Sequence, residues 1–289
     1  MFKIFTSAVL LFISVTCINA ETFSDSTGVN YGRLSFSVGA TSLSAAGSFY
    51  VMKNAWWQDE SESFHFDDGT DLKYAKNLDK FGHFFGGYVS QDLLYRSLIW
   101  SNVSKNYATA YSVGMSVFVQ VMIDLKDAYA PKWGFSPWDV AAGAAGAVYK
   151  AAQNHYPVLD DYKFKITYYS RENKYYAQHD WALENAIENY PSQTYWLTAP
   201  LDNFLPESVS ARVPDWLGLA AGLSISDKVS EQLTGDYMVY LSLDIDLEKL
   251  VRPYNKPWLS TTAHYLNFIK VPAPALRFHP GFKGYAVYF

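Results

Sequence analysis

Two periodicities divide this chain. From about residue 30 to residue 157, apolar and small residues recur at helical spacing, and after Pro157 a strict two-residue alternation takes over. The best-marked helix start is Ser136 as N-cap, Pro137 in the first helical position and Asp139 three residues past the cap. It leads into Val140-Ala141-Ala142-Gly143-Ala144-Ala145-Gly146-Ala147, a surface almost without side-chain bulk, on which another helix must pack closely. Residues 33–52, rich in Ser, Gly and Ala, form a second close-packing helix that runs toward Trp56-Trp57. A third begins at Asn77 and continues through Trp100. A fourth covers 107–128 and at 1.5 Å per residue is ~33 Å long, enough to cross a hydrocarbon core. On it Ser116 and Gln120 share a face, as do Asp124 and Asp127. Residues 59–71, acidic and aromatic with Gly69, read as a loop.

In the carboxyl half, Val239, Leu241, Leu243, Ile245 and Leu247 alternate with Tyr240, Ser242, Asp244, Asp246 and Glu248, the mark of a half-buried strand. Shorter strand candidates are 164–169, 194–198, 216–225, 265–271 and 285–289, punctuated by Pro, Asn and Gly. The fold class expected is therefore α+β. A compact helical bundle of about four helices (21–157) precedes an antiparallel sheet or small barrel (158–289). The last strand puts Tyr285, Val287 and Phe289 on one face, like the closing strand of outer-membrane barrels. Six or seven candidate strands are fewer than the eight of the smallest such barrels, and the last strand of a soluble sheet has the same pattern.

The first twenty residues form a separate unit. Lys3 supplies a positive start, 4–15 an apolar stretch and Ile18-Asn19-Ala20 a small-residue exit, so they read as a cleaved signal peptide. Cys17, the single cysteine, would leave with it; the alternative of a lipid anchor at Cys17 meets a poor lipobox in Ser14-Val15-Thr16. Apolar residues make up 49%, aromatics 18% and charged residues 18% of the chain. That charged share is below the ~25% usual for soluble domains, and the balance suits much buried or lipid-facing surface. With 23 basic and 28 acidic residues, net −5, and no Lys/Arg stripe, nucleic acid is excluded as a partner.

Ionisable groups stand out where the helical sequence is otherwise apolar: Asp79-Lys80-Phe81-Gly82-His83, Asp124 with Asp127, and Asp139. Asp79 and His83 lie four apart, so a carboxylate can orient the imidazole. Three readings stand side by side. His83, Asp79, Asp124, Asp127 and Asp139 form a donor set of the kind helix bundles use for a divalent metal. In a catalytic variant His83 is a general base oriented by Asp79, with Lys80 or a metal stabilising an anion on phosphate or ester. In the structural variant Asp139 belongs to a capping box, Asp79 to a helix first turn, and Lys80 pairs with Asp124 or Asp127 to fix register. The other histidines lack ligand spacing, and no phosphate-cradling loop, nucleophile elbow or paired-cysteine motif occurs. Trp56, Trp57, Trp100, Trp133 and Trp138 fall near expected helix ends, as an interfacial belt or as core capping.

The order Asp79-Lys80-Phe81-Gly82-His83, Asp124-x-x-Asp127, Trp133-Gly134-Phe135-Ser136, Asp139 and a Gly-rich helix resembles the YfiM-like family of uncharacterised bacterial periplasmic or outer-membrane lipoproteins, themselves distantly similar to VanZ-like membrane proteins. The likeness continues through Gln193-Thr194-Tyr195-Trp196-Leu197, Pro214-Asp215-Trp216-Leu217 and 240–247 into 267–276. Asp124 stands where that family usually has Glu, and Gly143 where it commonly has Asn. The resemblance implies export to the outer membrane or periplasm of a Gram-negative bacterium, with membrane or envelope components as partners and a structural or interaction role. A metal- or His-dependent hydrolase of a lipid or cell-wall precursor is the first alternative, and a small-ligand binding protein the second.

Overall fold

The structure, a computed structural model, describes residues 28–55, 57, 61–169, 189–226 and 235–289. The signal-peptide reading of residues 1–20, Cys17 and Trp56 lie outside them. The chain forms two units, one helical and ending at His155, the other starting at Tyr156 and carrying the sheet.

The helical unit consists of α1 (Tyr31–Ala55), α2 (Leu78–Trp100), α3 (Lys105–Asp127) and α4 (Pro137–His155). The start of α4 follows its sequence signature, the Asp139 backbone N–H donating to Ser136 Oγ at 3.3 Å. Its bare surface is taken up by α2. A Cβ on Gly87 would stand 1.9 Å from the Gly143 carbonyl oxygen, and one on Gly146 1.9 Å from that of Phe84. Backbone touches backbone here, which only glycine allows. The expectation that α1 packs through its small residues is corrected: Gly39 and Gly47 face open space, and among the described side chains of α1 only Ser37 is buried.

On α3 the usual sense of amphipathicity is reversed. The buried positions are Ala108, Ser112, Ser116, Gln120 and Asp124, spaced four apart, whereas Tyr107, Tyr111, Met115 and Phe118 are exposed. The inward polar groups meet partners on α2. Ser116 Oγ lies 2.5 Å from Ser90 Oγ, Gln91 Nε2 donates to Ser112 Oγ at 3.0 Å, and Lys150 of α4 pairs with the fully buried Asp92 at 3.4 Å.

In the second unit β1 (Lys163–Tyr168), β2 (Gln193–Pro200), β3 (Leu217–Ile225), β4 (Tyr237–Ile245), β5 (Ala273–His279) and β6 (Lys283–Tyr288) form an antiparallel meander in chain order. Residues 265–271 do not form the expected strand. Helix α5 (Pro257–Leu266), opened by proline at its first position, takes up 265 and 266. Residues 268–270 then make one parallel bridge to β1, with Ile166 N–H donating to Phe268 O at 2.9 Å and Lys270 N–H to Ile166 O at 3.0 Å. Strand β5 was hidden in the sequence by Pro272 and Pro274. Of the sheet and barrel alternatives the described residues form the sheet, with β1 and β6 at its two edges; Thr194 of β2 meets the Tyr288 hydroxyl of β6 at 3.0 Å, and one bridge at 268–270 lies along the outer edge of β1.

The alternation along β4 is present, but its faces are reversed relative to a soluble sheet. Met238, Tyr240, Ser242 and Asp244 point inward and buried; Val239, Leu241 and Leu243 point outward, about 40% exposed. One apolar row, Phe164, Leu197, Ala221, Leu241 and Leu276, crosses five strands in register on the outside. Inside, Trp196, Met238, Tyr240 and Tyr288 cluster, with Gly222 leaving room for the Trp196 ring. Beside them Lys165, fully buried, donates to Asp244 Oδ2 and Asn267 Oδ1, each at 2.8 Å.

Lys270, in the connection before β5, rests 4.7 Å from the centre of the Trp196 ring. Burial pushes its amine down to about 8 against the pull of Asp244, with Lys165 adding to the depression. An ammonium less acidic in the unfolded chain means that the unfolded state holds more protons between pH ~8 and ~10.5, so stability rises with pH across that window. Comparing denaturant midpoints of wild type and Lys270→Met at pH 7.5 and 10 should show a rise of up to about 3 kcal/mol that only wild type has.

Candidate functional site

At one end of the helical unit the start of α2, the end of α3 and the start of α4 converge. The loop before α2 is tied down by backbone bonds: His65 N–H to Ala128 O at 3.0 Å, Phe135 N–H to His65 O at 3.0 Å and Asp67 N–H to Phe135 O at 3.1 Å. Gly134 permits this, since its φ of 147° is open to glycine and a Cβ there would lie 2.7 Å from Asp67 N. The chain then enters α2 through Ala75, Lys76 and Asn77, all left-handed with φ of 46°, 51° and 63°. Such a run is strained, at about 1–2 kcal/mol for each ordinary residue, and it aims Asp79 and Lys80 into the cluster.

Lys80 is the hub. Its Nζ lies 2.5 Å from Asp71 Oδ2, 2.7 Å from Asp79 Oδ2 and 2.7 Å from Asp139 Oδ1. Ser136 Oγ donates to the same Asp71 oxygen at 2.6 Å. Burial pushes Asp71 up, but the hydrogen bonds from Lys80 and Ser136 and the Lys80 charge outweigh it and hold the carboxyl below its ordinary value. Lys80 donates to Asp71 and Asp79 and stands in close ion-pair contact with Asp139, so its ammonium is committed to carboxylates rather than turned toward an anionic intermediate. The pairing of Lys80 with Asp124 or Asp127 expected from sequence is replaced by pairing with Asp71, Asp79 and Asp139. Asp139 likewise uses its carboxylate on Lys80 rather than to complete a capping box.

His83 stands beside this group. Its Nδ1 lies 3.0 Å from Gln120 Oε1 and its Nε2 3.7 Å from Asp139 Oδ1. With the amide oxygen accepting, Nδ1 donates to Gln120 and Nε2 is left on the side of Asp139. Asp79 does not orient the imidazole; Gln120 does. Gln120 in turn fills the space at Gly143, where an added Cβ would meet its Cγ at 2.4 Å.

Asp127 accepts from Trp57 Nε1 at 2.6 Å. Asp124, 1% exposed, receives the Ser136 backbone N–H, while its Oδ2, like Asp79 Oδ1, has no hydrogen-bond partner. All the residues singled out in the sequence, Asp79, Lys80, His83, Asp124, Asp127 and Asp139, therefore belong to one neighbourhood. Asp71, Ser136, Gln120 and Trp57 join them; Ser136 was marked in the sequence as the N-cap of α4 and Gln120 by its place on the Ser116 face of α3, whereas Asp71 and Trp57 had no such signal.

As a metal centre the preformed set is narrower than the sequence suggested. Asp71, Asp79 and Asp139 bring ligand oxygens within 4.8 Å of one another, and His83, Asp124 and Asp127 do not join that group. The Lys80 ammonium holds the middle of it, so a divalent ion would compete for the same oxygens. In the second unit a polar cleft is lined by Lys163, Lys249 and Arg252, each already paired with a carboxylate.

Comparison of the chain with protein-family models, curated proteins and solved structures gives no match.

Proposed function

We propose that this is an exported protein embedded in the lipid of a Gram-negative cell envelope, in the outer membrane or on its periplasmic face, where it has a structural or interaction role. The observation that carries the reading is the burial along α3 and β4: α3 turns Ser112, Ser116, Gln120 and Asp124 inward and Tyr107, Tyr111, Met115 and Phe118 outward, and β4 leaves Val239, Leu241 and Leu243 exposed while burying Ser242 and Asp244. Water penalises that arrangement, and hydrocarbon favours it. The dimensions fit. α3 is long and apolar enough to cross a bilayer, and the nine-residue strands β3 and β4, at ~3.3 Å per residue and a ~40° tilt, give a wall close to the ~25 Å apolar band of membrane barrels. Aromatics mark both ends of the bundle: exposed Tyr107 and Tyr111 stack at one, and exposed Phe64, Phe66 and Tyr129 pack together with the half-buried Phe135 at the other. Along α3 the two groups are ~30 Å apart, one hydrocarbon thickness.

Leu241→Lys tests this reading by sign. On a water-facing sheet the change is within about 0.5 kcal/mol of neutral. Facing lipid near mid-depth it should reduce stability in bilayers by about 2–4 kcal/mol. Carbonate washing of envelope fractions should leave wild type in the pellet. Release of wild type into the wash, together with a neutral Leu241→Lys, would remove the proposal.

A second reading has its own observation. Pinning of His83 Nδ1 by Gln120 leaves Nε2 facing the carboxylates, the state of a general base in a His-dependent hydrolase of a lipid or cell-wall precursor. His83→Ala should then abolish turnover of envelope lipid without altering carbonate extraction, and unchanged lipid profiles in that variant would exclude it.

A further inference from the structure

We infer that Lys80 is a tethered counter-ion filling a carboxylate cage with metal-type spacing, so that the native centre works without a divalent ion and loss of the ammonium turns it into a metal site. The cage is drawn from three separate pieces of chain: Asp71 from the loop, Asp79 from α2 and Asp139 from α4, with one oxygen of each within 4.8 Å of the others. Ions such as Mg²⁺, Mn²⁺ and Ca²⁺ bind carboxylate oxygens at about 2.0–2.6 Å, which requires oxygens spaced about 3–5 Å apart around them. The cage already has that spacing. Lys80 Nζ stands in it at 2.7 Å from both Asp79 and Asp139, the distance of an ammonium–carboxylate contact, and closer still to Asp71.

Charge supplies the second argument. Three carboxylates around one ammonium leave an excess of negative charge where the Asp79 side chain is 5% exposed and that of Asp139 9%. Asp79 Oδ1 and Asp139 Oδ1 are buried without a hydrogen-bond partner, so two carboxylates of the cage have an acceptor to spare. A doubly charged ion would take up both the excess and an oxygen of this kind. The lysine gives up part of this neutralisation, and in return its tether makes the cage independent of ion supply. Asp124 adds a further unpartnered oxygen, Oδ2, close enough for its charge to act on Asp139.

The test uses Mn²⁺ as a hard, paramagnetic probe on the full-length protein in detergent. Wild type should keep the same melting temperature with chelator or with Mn²⁺ and should leave the free-ion electron paramagnetic resonance signal undiminished. Lys80→Ala should deplete that signal by one ion per chain and melt higher with Mn²⁺ than with chelator. Lys80→Ala combined with Asp139→Asn should lose both effects. Recovery of folded Lys80→Ala only in Mn²⁺ also supports the inference. It is overturned if wild type melts lower in chelator or binds Mn²⁺ stoichiometrically, if folded Lys80→Ala binds no more Mn²⁺ than wild type, or if Lys80→Ala fails to fold with and without the ion.

Discussion

Gly87→Leu is expected to destabilise the helical unit by about 3 kcal/mol or more, the upper end of what overpacking does. The reason is that no rotamer choice relieves the contact. The Cβ itself, at 1.9 Å from the Gly143 carbonyl oxygen, would have to displace backbone, so α2 and α4 must move apart along their whole shared face. Separation would also pull Gln120 away from the Gly143 gap and release His83. Thermal unfolding in detergent measures the loss, and the same change at Gly114, which has nothing within 4 Å, serves as control and should be nearly silent. A Gly87→Leu protein that melts with wild type would mean that the close approach of these helices is not needed for stability.

Asp244→Ala should cost about 3–5 kcal/mol in the second unit, because it leaves the buried Lys165 ammonium without its counter-charge. Lys165 is fully buried and donates to Asp244, Asn267 and the Ile245 carbonyl, at 2.8, 2.8 and 3.0 Å. The two neutral oxygens that remain do not balance a charge in that medium. Removing both partners, as Lys165→Met with Asp244→Leu, should recover most of the loss, since a well-packed apolar pair is often as stable as the ion pair it replaces. Urea midpoints of the two variants separate the outcomes. Equal midpoints for Asp244→Ala and the double variant would show that the buried charge is harmless when unpaired.

The architecture was legible where local rules decide it. Ser136-Pro137-x-Asp139 fixed the start of α4, the glycines from 143 to 146 announced a close partner, and the alternation from 239 onward marked β4. Alternation says which residues share a face, but not which face is buried, because both solvents produce the same period. Hence the inward direction of Tyr240, Ser242 and Asp244 had to come from the structure. Residues 265–271 misled because Tyr265, Phe268, Ile269 and Val271 suit a strand as well as a helix end, and Pro257 eight residues earlier decided for the helix. At the site, charge amid apolar sequence found six residues, but the partners of Lys80 are set by tertiary placement. Asp71 lies in an acidic loop where several carboxylates look alike, and only its approach to Ser136 and Lys80 distinguishes it.

The bridge between Ile166 and Ile269 also bears on the order of assembly. The first strand acquires its second neighbour only once residues far along the chain have arrived, so until almost the entire polypeptide is made the outer margin of Lys163–Tyr168 stays open to pairing with any other extended segment.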